Sequence, residues 1–427
     1  MGILNANISI INKFLDNFKE LFSKKQFAVF VLAAYSLFKE YKRNCLFSMA
    51  DNANVNYQAF QYFFSESRWN IDELNDKRLK IIESQRTTKS TNDGVLVIDD
   101  TSVPKPYAKD TEGAKYQHCP VLNREEVCNV VVVSGFSSKT KHFPINLNFY
   151  MPESEFPRGK KDYRFKSKLT LAEELIEDAI SKGINFSHIC LDAWYASNKL
   201  INSIDSRNLK FVAELKPSRL IYFYHPIKGR HCFIKQDELV KLIRSHYKHK
   251  LKPVEVSHPN GYSRNFLSYS FKSNLKDSSV KIRVVVLFGK FCDEDSRSIH
   301  LLITNDLNAY APTIVSKYTL RWGIERVFQE LKDVFCFDQY QVRHKKQIQR
   351  YWMLCFIVWS LVYWIKQNGY LNKTLSSRLM SFNDYKKAIN SLLFLGSGVI
   401  ISKNRESLCN LYGLKSQRMK KALGLAA

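Results

Sequence analysis

Apolar residues recur at helical spacing through the first 90 positions: Ile8, Ile11, Phe14, Leu15, Phe18, Leu21 and Phe22, then Phe27 to Phe38, then Tyr57, Phe60, Phe63 and Phe64. A period near 3.6 buries one face of a helix, so residues 1–90 are predicted to be helical. From Gly94 the texture changes. Val95-Leu96-Val97-Ile98 is a short apolar run that suits a strand buried on both faces, ending in Asp99-Asp100-Thr101. Val130–Val133 and Phe143–Phe149 predict further strands, and Leu169–Ile180 predicts an acidic amphipathic helix closed by Ser181-Lys182-Gly183. Ile189-Cys190-Leu191 reads as a strand running into the polar turn Asp192-Ala193-Trp194-Tyr195, and Phe211–Leu215 as another strand.

Residues 216–300 differ again. Aromatic-rich pieces (Leu220–Tyr224, Phe266–Phe271) and Lys281–Leu287 predict strands around a basic helix near 237–250, and the whole reads as an insertion. Leu301–Thr304 returns to the core, just before a helical pattern from Tyr318 to Phe335. On that helix Tyr318, Arg321, Glu325, Phe328 and Lys332 fall within roughly 80° of one another. Leu320, Ile324, Val327, Leu331 and Phe335 form an apolar stripe beside them. The apolar run Tyr351–Ile365 is shorter than the roughly 20 residues a bilayer requires and reads as a buried core helix. Short helices and a basic tail (Lys415, Arg418, Lys420, Lys421) are expected from about 371 onward.

Length and charge sharpen this picture. The chain has 427 residues, and its 45% hydrophobic content is that of a globular protein. Lys and Arg outnumber Asp and Glu by 65 to 40, for a net charge of +25. Such an excess points to a polyanionic partner, without separating DNA from RNA or anionic lipid. Nine scattered cysteines without a C-x-x-C pair suit reduced thiols in a cytosolic protein, and His118-Cys119 and His231-Cys232 fit no usual zinc spacing. The N-terminus lacks the order of a signal peptide, so a cytoplasmic, nucleoid-associated protein without a membrane partner is expected.

The chemistry lies in three carboxylates. A strand end in an α/β sheet is where ligand-binding groups gather, although an Asp there also serves as a simple turn-former. Alternation along the strand sends Asp99 and Asp100 to opposite faces; Asp100, next to Thr101, is assigned to a metal and Asp99 to a supporting position. Asp192 follows Leu191 in the same manner, and Glu325 is flanked by Arg321 and Lys332 on one helical face. Carboxylates suit a hard cation and the basic neighbours suit phosphate oxygens. The helix alone could equally be a surface ion-pair helix.

Asp100, Asp192 and Glu325, with Tyr318-x2-Arg321-x3-Glu325-x6-Lys332, resemble the core of bacterial insertion-sequence transposases of the DDE type, with their Y-(2)-R-(3)-E-(6)-K signature. All four signature residues match at full spacing, and the resemblance spans about residues 90 to 370. It implies an α/β, RNase H-like (retroviral-integrase-like) fold: a mixed five-stranded sheet with flanking helices and a β-rich insertion before the catalytic Glu. The implied organisation is a DNA-binding helical region (1–90), a core in two parts (91–215 and 301–370), the insertion (216–300) and a C-terminal helical region (371–427).

The resemblance further implies a DNA transposase in which Asp100, Asp192 and Glu325 hold two Mg2+ ions about 3.5 to 4 Å apart, with Mn2+ as a substitute. Attack on the phosphodiester is then in line. Tyr318, Arg321 and Lys332 would contact DNA, as would Lys105, five residues beyond Asp100. Trp194 would stack on a base or pack in the core, and His118 would line the site or satisfy a local hydrogen bond. The implied partners are double-stranded DNA, as terminal inverted repeats and as target, and a second copy of the chain in the synaptic complex. A domesticated nuclease and a non-catalytic DNA-binding regulator are the alternatives.

Overall fold

The computed structural model describes residues 2–39, 45–53, 55–257, 263–289, 299–371 and 380–395. The basic tail beyond 400 lies outside them. The chain divides into a helical unit (residues 1–89, 107–114 and 328–427) and a sheet unit (residues 90–106 and 115–327).

The helical unit begins with α1 (Gly2–Asp16), α2 (Lys24–Lys39), α3 (Leu46–Ala53), α4 (Tyr57–Ser65) and α5 (Ile71–Glu83). The apolar stripes behave as their period predicts: Ile11, Phe14, Leu15 and Phe18 are buried, as are Val29–Phe38 and Phe60, Phe63 and Phe64. Asn56 and Asn70 cap α4 and α5, each accepting a backbone N–H of the first turn.

The sheet unit carries β1 (Val95–Pro104), β2 (Lys115–Cys119), β3 (Arg124–Ser137), β4 (His142–Tyr150), α6 (Lys168–Ser181), β5 (His188–Leu191), α7 (Asn198–Ser206) and β6 (Phe211–Glu214). Its strands lie in the order β4-β3-β1-β5-β6. β3 is antiparallel to both β1 and β4, whereas β1, β5 and β6 run parallel. These are the five strands expected of an RNase H-like sheet. The parallel strands need crossovers, which α6 and α7 supply.

Residues 221–304 then add strands to the same sheet. After β7 (Ile221–His225) and β8 (Arg230–Ile234), which form their own hairpin, and α8 (Gln236–His246), come β9 (Lys252–Ser257), β10 (Ser263–Asn274), β11 (Lys281–Phe288) and β12 (Ile299–Thr304). β12 pairs with the free edge of β6, and β11, β10 and β9 follow, giving ten strands among the described residues. An unpaired edge strand is a ready template for further pairing, and here the chain covers that edge itself.

The sheet unit ends in α9 (Ala311–Thr319) and α10 (Trp322–Gln329), whose last two residues pass into the helical unit. The single straight helix expected from Tyr318 to Phe335 is instead broken at Leu320–Arg321. There Arg321 N–H reaches Tyr318 O at 3.0 Å and Gly323 N–H reaches Leu320 O at 3.0 Å, the tighter i→i+3 pattern.

The helical unit resumes in the π-helical turn Glu330–Val334, then α11 (Lys345–Asn368) and α12 (Phe382–Leu395). α11 is long and apolar enough to cross a membrane by composition, yet 94% of its most apolar window is buried within the protein, as a core helix requires. It carries one fully buried cation that its apolar pattern hides. Arg350 donates to the carbonyls of Phe63, Phe64, Ser67 and Trp69 and stacks 4.2 Å over the Trp69 ring.

His188 opens β5 at 7% exposure, and its buried Nδ1 has no hydrogen-bond partner. Burial, with Lys317 and Lys210 nearby, lowers its pKa from 6.5 to about 4, against the attraction of Asp306. The unfolded chain therefore binds this proton first as the pH drops. The stability it contributes is full above pH 6.5 and is lost as pH falls through 4. Urea unfolding at pH 7.5 and 4.5 should show a loss of about 2 kcal/mol from this site, and His188→Asn should flatten that part of the slope. An identical acid loss in the variant would sink the assignment.

Candidate active site

Register places the carboxylates. β1 pairs with β5 from Val95↔His188 to Ile98↔Leu191, and β5 pairs with β6 up to Leu191↔Ala213. One residue further along the three parallel strands stand Asp99, Asp192 and Glu214, side by side at the carboxyl end. β1 itself does not stop at Asp100 as its sequence suggests: it stays paired with β3 to Pro104↔Cys128. What ends there is only its partnership with β5.

Of the two adjacent acids, Asp99 faces the helix that bears Glu325. Arg321 Nη1 donates to Asp99 Oδ2 at 3.1 Å and its Nη2 to Glu325 Oε1 at 2.6 Å. Asp100 is held by another set of donors. Its Oδ2 accepts from Lys168 Nζ at 2.8 Å, and its Oδ1 from the Tyr195 hydroxyl at 2.9 Å. The sequence assigned Asp100 to the metal and Asp99 to support; the side chain that Arg321 links to Glu325 is Asp99.

The electrostatics follow from crowding. Burial raises the Asp99 pKa to about 7, opposed by Arg321 and reinforced by Asp192 and Asp100. Burial likewise raises Asp192, whose Oδ1 accepts the backbone N–H groups of Trp194 and Tyr195, each at 2.9 Å. Burial acts to lower the Arg321 pKa, but the carboxylates of Asp99 and Glu325 beside it outweigh that and raise it. Such an accumulation of buried negative charge calls for cations.

Helix α10 reaches the sheet through two glycines. A Cβ on Gly323 would lie 2.1 Å from Ser137 Oγ and 2.7 Å from Ser137 Cβ, while one on Gly135 would lie 2.5 Å from Ile324 Cδ1. Only a bare Cα lets the helix carrying Glu325 settle this closely on β3. Gly323→Ala should lower stability by about 1–3 kcal/mol, the usual cost of overpacking, and displace Glu325. An unchanged melting temperature would refute the close-packing account.

Tyr318 is also fixed from an unexpected side. Its hydroxyl donates to Glu214 Oε2 at 2.8 Å, and Glu214 Oε1 lies 2.9 Å from His300 Nδ1. Burial would raise the Glu214 pKa, but the hydrogen bonds from His300 and Tyr318 outweigh it and lower the value. Sequence reasoning passed over Glu214. The available signal was that Ala213-Glu214 ends a short apolar strand just as Ile98-Asp99 and Leu191-Asp192 do. A cavity of about 710 Å3 opens beside this group, walled in part by Glu214, Arg264, Phe266, His300, Tyr318 and Trp322.

The remaining expected residues lie as follows. Trp194 is half-exposed, with Lys168 Nζ 5.2 Å and Lys216 Nζ 6.0 Å from its ring. Lys105 directly follows β1 and its N–H donates to Val127 O at 2.7 Å. His118 sits on β2, its Nδ1 3.7 Å from Glu125. Lys332 belongs to the helical unit, in the π-helical turn, and not to the sheet unit that carries the carboxylates.

As they stand, no three acid, His or Cys side chains among the described residues converge closely enough to hold a metal ion. The donor set itself fits a hard divalent cation, because it is all carboxylate oxygen and its acids repel one another. Arg321 presently supplies the positive charge there.

Three parallel strands leading into Asp99, Asp192 and Glu214, with Arg321 linking Asp99 to Glu325 of α10, make up an RNase H-like architecture. The chain belongs to the DDE superfamily endonucleases: that family's model matches residues 17–231, half of the chain, and the transposase DDE domain matches residues 158–361. A probable transposase for insertion sequence element IS701 from Microchaete diplosiphon is 24% identical over 220 residues. That match takes in 50% of this chain and 56% of the relative, so the chain spans just over half the length of that relative. Among solved structures, the piggyBac transposase synaptic complex with hairpin DNA is 13% identical over 91% of this chain and 76% of its own, with a TM-score of 0.47.

Proposed function

We propose that the chain is a DNA transposase that binds the terminal inverted repeats of its element, cleaves at their ends and joins them to target DNA. The observation that carries this reading is the Arg321 bridge between Asp99 and Glu325, beside Asp192 at the end of the neighbouring strand. In this reading the catalytic carboxylates are Asp99, Asp192 and Glu325. Asp99 replaces Asp100 because it is the acid that shares a cation with Glu325.

Divalent cations, Mg2+ by preference, would be held by these three side chains and supply Lewis acidity to the phosphodiester and to an attacking water or 3′-OH. Arg321 keeps Asp99 and Glu325 within reach of one another. Glu214 and His300 fix the Tyr318 hydroxyl, so that its ring meets DNA in one orientation. Lys332, Lys105 and Trp194 remain proposed DNA contacts, two by charge and one by stacking. Two copies of the chain would act together on paired ends in the cytoplasm. The retained carboxylates favour an enzyme over a DNA-binding regulator; a domesticated nuclease differs only in lacking strand transfer.

The decisive assay uses the DNA that flanks the gene, where this reading expects terminal inverted repeats. Purified protein with Mg2+ should nick this DNA to leave a 3′-OH at the element boundary, and chelation should stop it. Cleavage that persists in excess chelator, or that ignores the repeat sequence, would sink the reading.

A further inference from the structure

The second acid of the Asp99-Asp100 pair meets Lys168 and Tyr195, not Arg321. Lys168, the first residue of α6, is placed by the Ser167 cap, whose Oγ accepts the Thr170 N–H at 3.2 Å. Its ammonium lies 2.8 Å from Asp100 Oδ2, and 5.6 Å and 5.2 Å from the ring centroids of Tyr150 and Trp194. Asp100 Oδ1 accepts from the hydroxyl of the fully buried Tyr195 at 2.9 Å. Tyr195 in turn donates its backbone N–H to Asp192 Oδ1 at 2.9 Å, beside the N–H of Trp194.

We propose that Lys168, Asp100 and Tyr195 form a positioning relay that fixes the Asp192–Tyr195 turn and so aims the Asp192 carboxylate at a divalent cation. A buried Tyr hydroxyl needs a partner, and an ionised carboxylate is a strong one. Asp100 meets that need only because Lys168 compensates its charge. With Oδ1 held by two backbone donors, Asp192 presents Oδ2 to a cation. The same ammonium attracts the exposed Trp194 ring, so both aromatic residues of the turn are tied to one lysine. Since β5 ends at Leu191, the relay takes over where strand pairing no longer holds the chain.

This inference rests on the assignment of Asp192 to the metal site, and the test separates the two. Mn2+ binding to the full-length protein is measured by calorimetry without DNA, for the wild type and for Asp192→Asn, Tyr195→Phe, Lys168→Met and Lys168→Arg. Tyr195→Phe and Lys168→Met are each expected to weaken Mn2+ binding about tenfold, the scale of one charge-assisted hydrogen bond. The double variant should lose little more than either single one, as members of one network do, and Lys168→Arg should restore most of the affinity. Wild-type Mn2+ affinity in Tyr195→Phe would overturn the relay, as would fully additive losses. Unchanged affinity in Asp192→Asn would overturn the site assignment instead. Should Lys168→Met fail to fold, Tyr195→Phe, which removes a single hydroxyl, carries the test.

Discussion

Asp99→Asn should abolish Mg2+-dependent cleavage of end DNA, with a loss on the order of 10³-fold or more, while Asp100→Asn retains measurable turnover. The two residues are neighbours in the chain, equally acidic, and differ only in the side of β1 they occupy. Asp99 shares Arg321 with Glu325; Asp100 answers to Lys168 and Tyr195. In the proposed site, removing Asp99 deletes a cation ligand outright, whereas removing Asp100 disturbs the aim of another ligand, Asp192. Single-turnover cleavage of a labelled inverted-repeat duplex measures both variants. A more severe loss in Asp100→Asn than in Asp99→Asn would reverse the assignment, and binding to end DNA should survive in each.

Arg321→Met should produce the second large effect, this time on folding as well as on cleavage. The guanidinium is mostly buried between Asp99 and Glu325, at 13% side-chain exposure, and also neighbours Asp192 and Tyr318. Removing one partner of a buried pair leaves its acids uncompensated, at a cost of about 3–5 kcal/mol. Because the same acids would hold divalent cations, added Mg2+ should recover part of that stability by binding the folded state alone. Urea unfolding with and without Mg2+ reports both effects. Stability equal to wild type, or no Mg2+ response, would count against a common set of carboxylates for arginine and metal.

Much of the sheet unit was legible in the sequence because its strands are uninterrupted apolar runs. Val95–Ile98, Ile189–Leu191 and Phe211–Ala213 must be buried on both faces, and their polar successors mark where the sheet ends. The helical unit was legible for the same reason at a different period. Four things were hidden. Which of Asp99 and Asp100 meets Glu325 depends on the face of β1 that α10 covers, and alternation separates the two without choosing between them. The role of Glu214 depends on the parallel register of β5 and β6, a long-range fact. The break at Leu320–Arg321 is a local i→i+3 turn that no period announces; Arg321 and Glu325 still meet across one turn, whereas Lys332 falls in a separate π-helical turn. Lys168 was invisible too, as one more lysine in a basic stretch.

The row formed by Asp99, Asp192 and Glu214 also bears on how such a chain can change length during descent. Its geometry is set by strand pairing, so added residues between the strands leave it untouched. The β2–β3 hairpin turn, where Asn123 already adopts a left-handed conformation (φ 49°), can gain or lose a residue in the same way. Within His188–Leu191 the same single deletion would reverse the inward and outward faces and turn Asp192 away from its neighbours. Lineages derived from this chain should therefore differ freely in loop lengths while the four residues of β5 keep their number.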